Sequence, residues 1–126
     1  MGRGRHWPAI AAGGAVGSLV RWAVVGLVDD PSWSWPVLAV NTIGGAVLGW
    51  LVGRGGFRSA STTAALGVGF CGGLTTMSAL AVEVAGLARD DRLGAAAGYL
   101  AATLVVGGAA AFAGVTIGRR GVGGRA

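Results

Sequence analysis

The sequence contains no lysine and few charged residues of either sign. Charged residues make up 12% of its 126 residues, against about 25% in a typical soluble domain, while 53% are hydrophobic. All ten basic residues are arginines, and five residues are acidic. This composition excludes an ordinary soluble globule and indicates an integral membrane protein.

Cysteine and histidine occur once each, which excludes several chemistries. Cys71 has no partner for an internal disulfide, and the sequence offers no cluster of metal-ligating side chains. His6 lies in the basic N-terminal tail. The hydroxyls of Thr76 and Ser78 therefore have no histidine or lysine near them to act as a base. We do not expect an enzyme.

Four apolar segments are long enough to cross a bilayer. At a rise of about 1.5 Å per residue, roughly 20 residues cover the hydrocarbon core of about 30 Å. Arg21 interrupts the first segment, and no cleavage site follows it, so we interpret this segment as a retained span. Short connections make successive helices antiparallel neighbours. The predicted fold is a single all-α domain, 1–126, with membrane helices at about 8–28, 35–52, 62–87 and 93–118.

The arginines indicate an orientation in the membrane. With four spans, the N-terminus, the loop near 53–61 and the C-terminus lie on the same side. The positive-inside rule therefore predicts both termini in the cytoplasm of a protein of the cell membrane. Because the arginines lie at the ends of apolar segments and not along one face, nucleic-acid binding is not expected. The far side carries two of them, Arg89 and Arg92, and the side of the termini carries seven: Arg3, Arg5, Arg54, Arg58, Arg119, Arg120 and Arg125.

Residues 69–80 place glycines and hydroxyls in the middle of the third apolar segment. They read Gly-Phe-Cys-Gly-Gly-Leu-Thr-Thr-Met-Ser-Ala-Leu. Lipid tolerates unpaired backbone groups only where protein shields them or where they line a cavity. We therefore predict that the third helix is broken in mid-membrane and that the break lies at a buried ion or substrate site.

Two charged residues, Arg21 and Glu83, lie within the predicted spans. A charge inside the bilayer is costly, so such residues are paired or face water. The depths of these two match within about 5 Å, so a structural ion pair is one interpretation. The other is that Arg21 adds positive potential to a vestibule that collects anions.

Asn41 in the second span allows two interpretations as well. Its amide offers two donors and an acceptor, so it can bind a desolvating anion or bridge two helices. In the fourth span, Tyr99, Thr103 and Gly107 recur every four residues and share a face. Taken alone, such a row indicates packing more often than a pore.

Three motifs, in order along the chain, resemble those of the bacterial CrcB/Fluc fluoride channel family. Residues 13–22, Gly-Gly-Ala-Val-Gly-Ser-Leu-Val-Arg-Trp, resemble its glycine-rich first-helix motif. Residues 35–45, which include Pro36 and Asn41, resemble its second-helix motif. Residues 69–76, Gly-Phe-Cys-Gly-Gly-Leu-Thr-Thr, match its third-helix signature. The resemblance runs nearly end to end.

The resemblance implies a dimer whose two subunits insert in opposite directions and form two narrow pores. Cytoplasmic fluoride would leave passively through these pores, which reduces its toxicity. Main-chain carbonyls at the break of the third helix, those of Gly72 and Thr75, would hold a structural sodium ion that is not transported. The vestibule residues would be Arg21 and Glu83. The resemblance places six residues at the pore: Asn41, Met77, Ser78, Leu80, Tyr99 and Thr103.

This chain departs from the family pattern at two of these pore positions. Met77 and Leu80 stand where members usually have phenylalanines, whose electropositive ring edges contact the anion. A bias of seven arginines against two should also fix one orientation, and a chain fixed one way cannot form an inverted homodimer. We therefore favour a heterodimer with a related, oppositely oriented subunit over a homodimer.

Two other functions remain open from the sequence. The chain can be a non-conducting structural partner within such a heterodimer. Alternatively, it can be a proton-coupled exporter like the small multidrug resistance transporters, which share its size and topology. Those proteins depend on a glutamate in the first helix, where this chain has Arg21.

Overall fold

The computed structural model describes residues 6–28 and 35–124, and within them the chain is helical. Four helical stretches in this part of the chain are long and apolar enough to span a membrane: Trp7–Gly26, Trp35–Gly53, Ala60–Arg89 and Leu93–Gly123. The predicted all-α fold with four candidate spans is confirmed, and the chain is a multi-pass membrane protein. The predictions made for Arg3, Arg5 and Arg125 lie outside the described residues.

The first, second and fourth spans are single helices. They are α1 (Trp7–Gly26), α2 (Trp35–Gly53) and α6 (Leu93–Gly123). Pro8 lies in the first turn of α1, where its missing N–H leaves no helical bond unmade. α6 has 31 residues, so at about 1.5 Å per residue it exceeds the thickness of the hydrocarbon core by several turns.

The third span is made of four pieces. These are α3 (Ala60–Ala64), a π-helical segment (Ala65–Cys71), α4 (Gly72–Leu74) and α5 (Met77–Arg89). The backbone is extended at Thr75 (φ −80°, ψ 153°) and at Thr76 (φ −150°, ψ 116°), between α4 and α5. π-helical turns are rare and occur frequently at functional sites. The sequence analysis did not predict this π-helical segment.

Glycines bring α2 and α6 into backbone contact. A Cβ atom placed on Gly49 would lie 2.1 Å from the Ala111 carbonyl oxygen, and one placed on Gly53 would lie 2.2 Å from that of Val115. From the first contact to the second, the position on each helix increases by four residues, so α2 and α6 run parallel. Small residues at such spacing allow membrane helices to approach closely. The α6 residues that contact the α2 backbone in the same way are Gly114 and Gly118.

α1 packs on the third span through glycines in the same way. A Cβ atom on Gly13 would lie 2.1 Å from the Ala65 carbonyl oxygen, and one on Gly17 would lie 2.3 Å from that of Phe70. From the opposite side, a Cβ atom on Gly73 would lie 2.4 Å from the Gly14 carbonyl oxygen. The bundle is therefore two parallel pairs of helices, each closed by glycines.

The buried core within one chain is small. Leu38, Leu80, Leu87, Ala96 and Tyr99 form one cluster in which the exposed fraction of each residue is below a tenth. Large apolar side chains elsewhere point outward, as expected for a surface that faces lipid or another subunit. Examples of these outward-facing residues are Trp22, Leu104, Val105 and Phe112.

We predict that Gly114→Ala destabilises the fold. The new methyl group would overlap the Ala46 carbonyl oxygen, 2.2 Å away, and such overpacking costs about 1–3 kcal/mol. The melting temperature of the detergent-solubilised protein should fall by several degrees. Gly98→Ala, on the same helix, meets no atom within 4 Å and should leave the melting temperature unchanged or slightly higher. Equal behaviour of the two variants would contradict the close approach of α2 and α6.

Candidate functional site

The extended backbone at Thr76 is paired with one side chain of α2. The Thr76 N–H donates to the Asn41 side-chain oxygen at 2.7 Å, and the Asn41 amide donates to the Thr76 carbonyl oxygen at 3.2 Å. The amide thus satisfies both backbone groups of one residue, as a neighbouring strand would. Asn41 bridges two spans, which is one of the two roles that the sequence left open.

The break releases two carbonyl oxygens from their helical donors. In an uninterrupted helix, the Thr76 N–H would bond to the Gly72 carbonyl, but it donates to Asn41. Likewise, the Ala79 N–H would bond to the Thr75 carbonyl, but it donates to the Thr76 hydroxyl at 3.1 Å. Thr76 therefore acts as the N-cap of α5. Gly72 and Thr75, the residues expected to bind a cation, are the ones whose carbonyls lose these donors.

The hydroxyls at the break have local partners. Thr75 donates to the Cys71 carbonyl oxygen at 2.9 Å, a bond that turns its side chain back along α4. The Thr76 and Ser78 hydroxyl oxygens lie 3.1 Å apart, so one donates to the other. Ser78 is exposed, which leaves its second lone pair or its proton available at the surface of the break.

Arg21 reaches the break from α1. Its guanidinium donates to the Thr75 carbonyl oxygen at 3.3 Å. This contact places the positive charge of Arg21 beside the break. It does not place that charge on the carboxylate of Glu83, as the interpretation of a structural ion pair would require. The contact also gives the freed Thr75 carbonyl a charged donor.

Two cavities flank the break. The first, of 540 Å³, is lined by both predicted vestibule residues, Arg21 and Glu83, together with Ser78 and Thr76. Ser18 of α1 also lines it, and the remaining lining is apolar. The structure thus brings the two intramembrane charges and three hydroxyls to a common space.

The second cavity, of 470 Å³, collects most of the remaining predicted site residues. It is lined by Asn41, Thr103 and Thr76 and by both predicted cation-binding residues, Gly72 and Thr75. The two side chains that replace the family's phenylalanines, Met77 and Leu80, line it as well. Thr76 is the residue shared by the two cavities.

One predicted pore residue lies elsewhere in this chain. Tyr99 has an exposed fraction of 0% and packs in the core cluster with Leu38 and Leu80. It borders neither of the two cavities described above. Its neighbour one turn along, Thr103, donates its hydroxyl to the Tyr99 carbonyl oxygen at 2.9 Å.

The sequence analysis missed two functional features. Thr76 was considered only as part of a motif, although a threonine placed just before a helix-forming run is a recognisable N-cap signal. The second is Thr42. Its hydroxyl oxygen is buried and has no hydrogen-bond partner among the described residues. No pattern in the sequence distinguishes this hydroxyl from one that bonds to its own helix.

The fold and the site define a polytopic helical membrane protein with a polar break enclosed between its spans. Residues 8–115 match the family described as CrcB-like protein, Camphor Resistance (CrcB). The chain belongs to this family, which confirms the resemblance found in the sequence. Its members are ion channels and not enzymes, which agrees with the expectation that this chain is not an enzyme and favours the channel interpretation over a proton-coupled exporter.

Several curated relatives align over most of the chain. The fluoride-specific ion channel FluC of Caulobacter vibrioides (strain NA1000 / CB15N) is 40% identical over 118 residues, which cover 88% of this chain and 93% of the relative. Fluoride-specific ion channel FluC 1 of Mycolicibacterium paratuberculosis is 40% identical over 108 residues, 82% of each chain. Fluoride-specific ion channel FluC 2 of Bacillus licheniformis is 39% identical over 119 residues, 92% of this chain and 89% of the relative.

We predict that Asn41→Ala disrupts the break. It removes two hydrogen bonds to Thr76 and leaves backbone groups without partners, which costs about 1–3 kcal/mol. Hydrogen exchange at the Thr76 amide should accelerate, and the melting temperature should fall. Thr42→Val is the matched control on the next residue, because it removes a buried hydroxyl that has no partner and should be neutral or stabilising. Unchanged protection of Thr76 in Asn41→Ala would show that the amide does not hold the break.

Proposed function

We propose that this chain is a subunit of a fluoride channel that lets cytoplasmic fluoride leave the cell passively. The observation that carries the proposal is the pairing of Asn41 with Thr76, which maintains a polar break inside an apolar span. Such irregular backbone at membrane depth is expected where a protein handles an ion. The relatives described above are named as fluoride-specific channels, which supplies the identity of the ion.

The donors around the break suit a small anion. Arg21 brings a fixed positive charge to the first cavity, and Thr76 and Ser78 bring hydroxyls. Fluoride is strongly hydrated, so a path through the membrane must replace water with N–H and O–H donors. Glu83 lies in the same cavity and opposes a second anion there, which fits a role in limiting how many anions the vestibule holds.

The structural sodium ion fits the carbonyls at the break. Hard cations prefer oxygen ligands, and the helical donors of the Gly72 and Thr75 carbonyls are diverted to Asn41 and to the Thr76 hydroxyl. Gly72 is exposed, and a Cβ atom placed on it would meet no atom within 4 Å. Two carbonyls do not complete a coordination shell, so the proposed site needs the matching pair of a second subunit. When bound there, sodium would supply a fixed positive charge and join the two chains.

The proposed assembly is a heterodimer of oppositely oriented subunits. The structure brings the arginine-bearing segments that follow α2 and end α6 together at one end of the bundle. There, a Cβ atom placed on Gly118 would lie 2.8 Å from the backbone nitrogen of Arg54. The seven arginines predicted on the side of the termini, against two on the other side, strongly favour one orientation, with the termini in the cytoplasm. An inverted partner must then be a different chain with the opposite bias.

The two replaced phenylalanines lie in different environments. Met77 is 78% exposed, so its side chain is available to a second subunit. Leu80 is 4% exposed and packs within the core cluster. Neither side chain offers a ring edge to an anion, and this observation favours a second candidate function, a non-conducting structural partner. In either case the conducting pore would depend on phenylalanines from the partner chain.

We predict that the chain alone takes one orientation and does not release fluoride. Tags on both termini should be accessible from one side of the membrane, and fluoride-loaded liposomes holding the chain alone should lose fluoride no faster than empty ones. Adding a family member with the opposite arginine bias should restore efflux, measured with a fluoride electrode. Dual orientation together with unaided efflux would contradict the heterodimer. If the mixed preparation also fails to release fluoride, both the channel subunit and the structural partner of a conducting heterodimer are contradicted.

We also predict that sodium stabilises the assembled channel. A ligand that binds only the folded assembly increases its free energy of unfolding by RT ln(1 + [L]/Kd). The melting temperature should therefore be higher in sodium chloride than in equimolar potassium chloride. Asn41→Ala should abolish this difference, because the break that holds the Gly72 and Thr75 carbonyls in place is then disrupted. Identical melting temperatures of the native assembly in the two salts would rule out the sodium site.

A further inference from the structure

We propose that the arginine-rich end of the bundle binds the phosphate group of an anionic phospholipid, at a site built on Arg54 and Arg58. The site lies where the loop between α2 and α3 meets the last turns of α6. It is separate from the break in the third span and does not depend on the identity of the transported ion.

This end of the bundle carries positive charge, and its described residues include no counterion. Residues 1–28, 31–82 and 92–126 contain no aspartate or glutamate. The acidic residues that the structure describes lie on α5 or form the turn between α5 and α6, at the opposite end of the bundle. Among the described residues, Arg54, Arg58, Arg119 and Arg120 therefore have no carboxylate partner. An anion from outside this part of the chain can serve as their counterion.

The guanidinium of Arg54 is held in place by two aromatic rings. Its central carbon lies 4.6 Å from the centre of the Trp50 ring and 4.2 Å from that of Phe57. The two rings are 5.9 Å apart and inclined by 65°, so they contact the cation from two adjacent sides. The sides of the guanidinium away from the rings keep N–H donors for an oxygen ligand. Planar forks of this kind match phosphate oxygens.

A cavity of 370 Å³ adjoins this guanidinium. It is lined by Arg54 and Arg58, by the two rings, and by the backbone of Gly118 and Gly121. Gly121 presents no side chain, and a Cβ atom placed on it would meet no atom within 4 Å, so a ligand can come close to the α6 backbone there. The size of the cavity accommodates a phosphodiester with part of its glycerol.

The loop that carries both arginines is fixed before a ligand arrives. Gly55 (φ +75°) and Gly56 (φ +81°) adopt left-handed conformations that other residues rarely take, which reverses the chain after α2. The Phe57 N–H then donates to the Thr63 hydroxyl at 2.8 Å. A site whose parts are already ordered loses little conformational entropy on binding.

The depth of the site favours a lipid as the source of the phosphate. Trp50 lies one turn before the end of α2, and tryptophan rings concentrate at the level of the headgroups. Lipid phosphates lie at this same level, and clusters of arginine at the end of a membrane helix attract anionic lipids. Inorganic phosphate shares the chemistry but not the location.

Lipid titration monitored by native mass spectrometry of the full chain tests the proposal. Phosphatidylglycerol should bind more tightly than phosphatidylcholine, and Arg54→Gln and Arg58→Gln should each weaken that preference by about fivefold, the usual contribution of one basic residue near an anionic surface. Arg89→Gln and Arg92→Gln remove arginines from the opposite end and should leave the preference unchanged. Arg58 makes neither of the ring contacts, so its variant keeps the test decisive if Arg54→Gln folds poorly.

The other outcomes overturn the proposal. Equal loss in all four variants would indicate general attraction to a negative surface, and no loss in any variant would show that the cavity binds no lipid. A further sample contains phosphatidylglycerol together with inorganic phosphate at the same concentration. If the phosphate displaces the lipid, the cavity is a site for the free anion and the lipid assignment is wrong.

Discussion

The bidentate contact between the Asn41 amide and the backbone of Thr76 is the interaction on which the site depends. A carbonyl or N–H without a partner in the hydrocarbon core costs several kcal/mol, so a continuous helix is strongly favoured in lipid. A single amide offers both the donor and the acceptor that one extended residue requires. The Thr76 hydroxyl satisfies a further backbone group, because it caps the following helix by accepting from the Ala79 N–H.

The glycine contacts place that amide where it is needed. α2 is held against α6 by Gly49, Gly53 and their counterparts, while α1 is held against the third span by Gly13 and Gly17. Association of helices in lipid relies on close packing, since lipid tails are as apolar as the side chains. Little of the chain is therefore buried in an ordinary core, and large apolar side chains remain at the outer surface.

Much of this architecture could be read from the sequence. Four spans follow from hydropathy, and the position of the polar residues in 69–80 marks the region of the break. The π-helical segment Ala65–Cys71 could not be predicted, because an α-helix of the same composition fits the sequence equally well. The partner of Asn41 could not be predicted either, since the amide can bond to an anion or to a helix. The proposed sodium site needs contacts between two chains, which the periodicity of one chain does not specify. Tyr99 lies in the core cluster of this chain, so its pore role, like the sodium site, stays a prediction.

The order of the two paired segments along the chain has a consequence for biosynthesis. Asn41 is translated before Thr76, so α2 can already be in the bilayer when the third span leaves the translocon. The Asn41 amide is therefore available to the Thr76 backbone as soon as the third span enters the bilayer. Insertion in this order lets the extended residues form without an unpaired N–H or carbonyl in the hydrocarbon core.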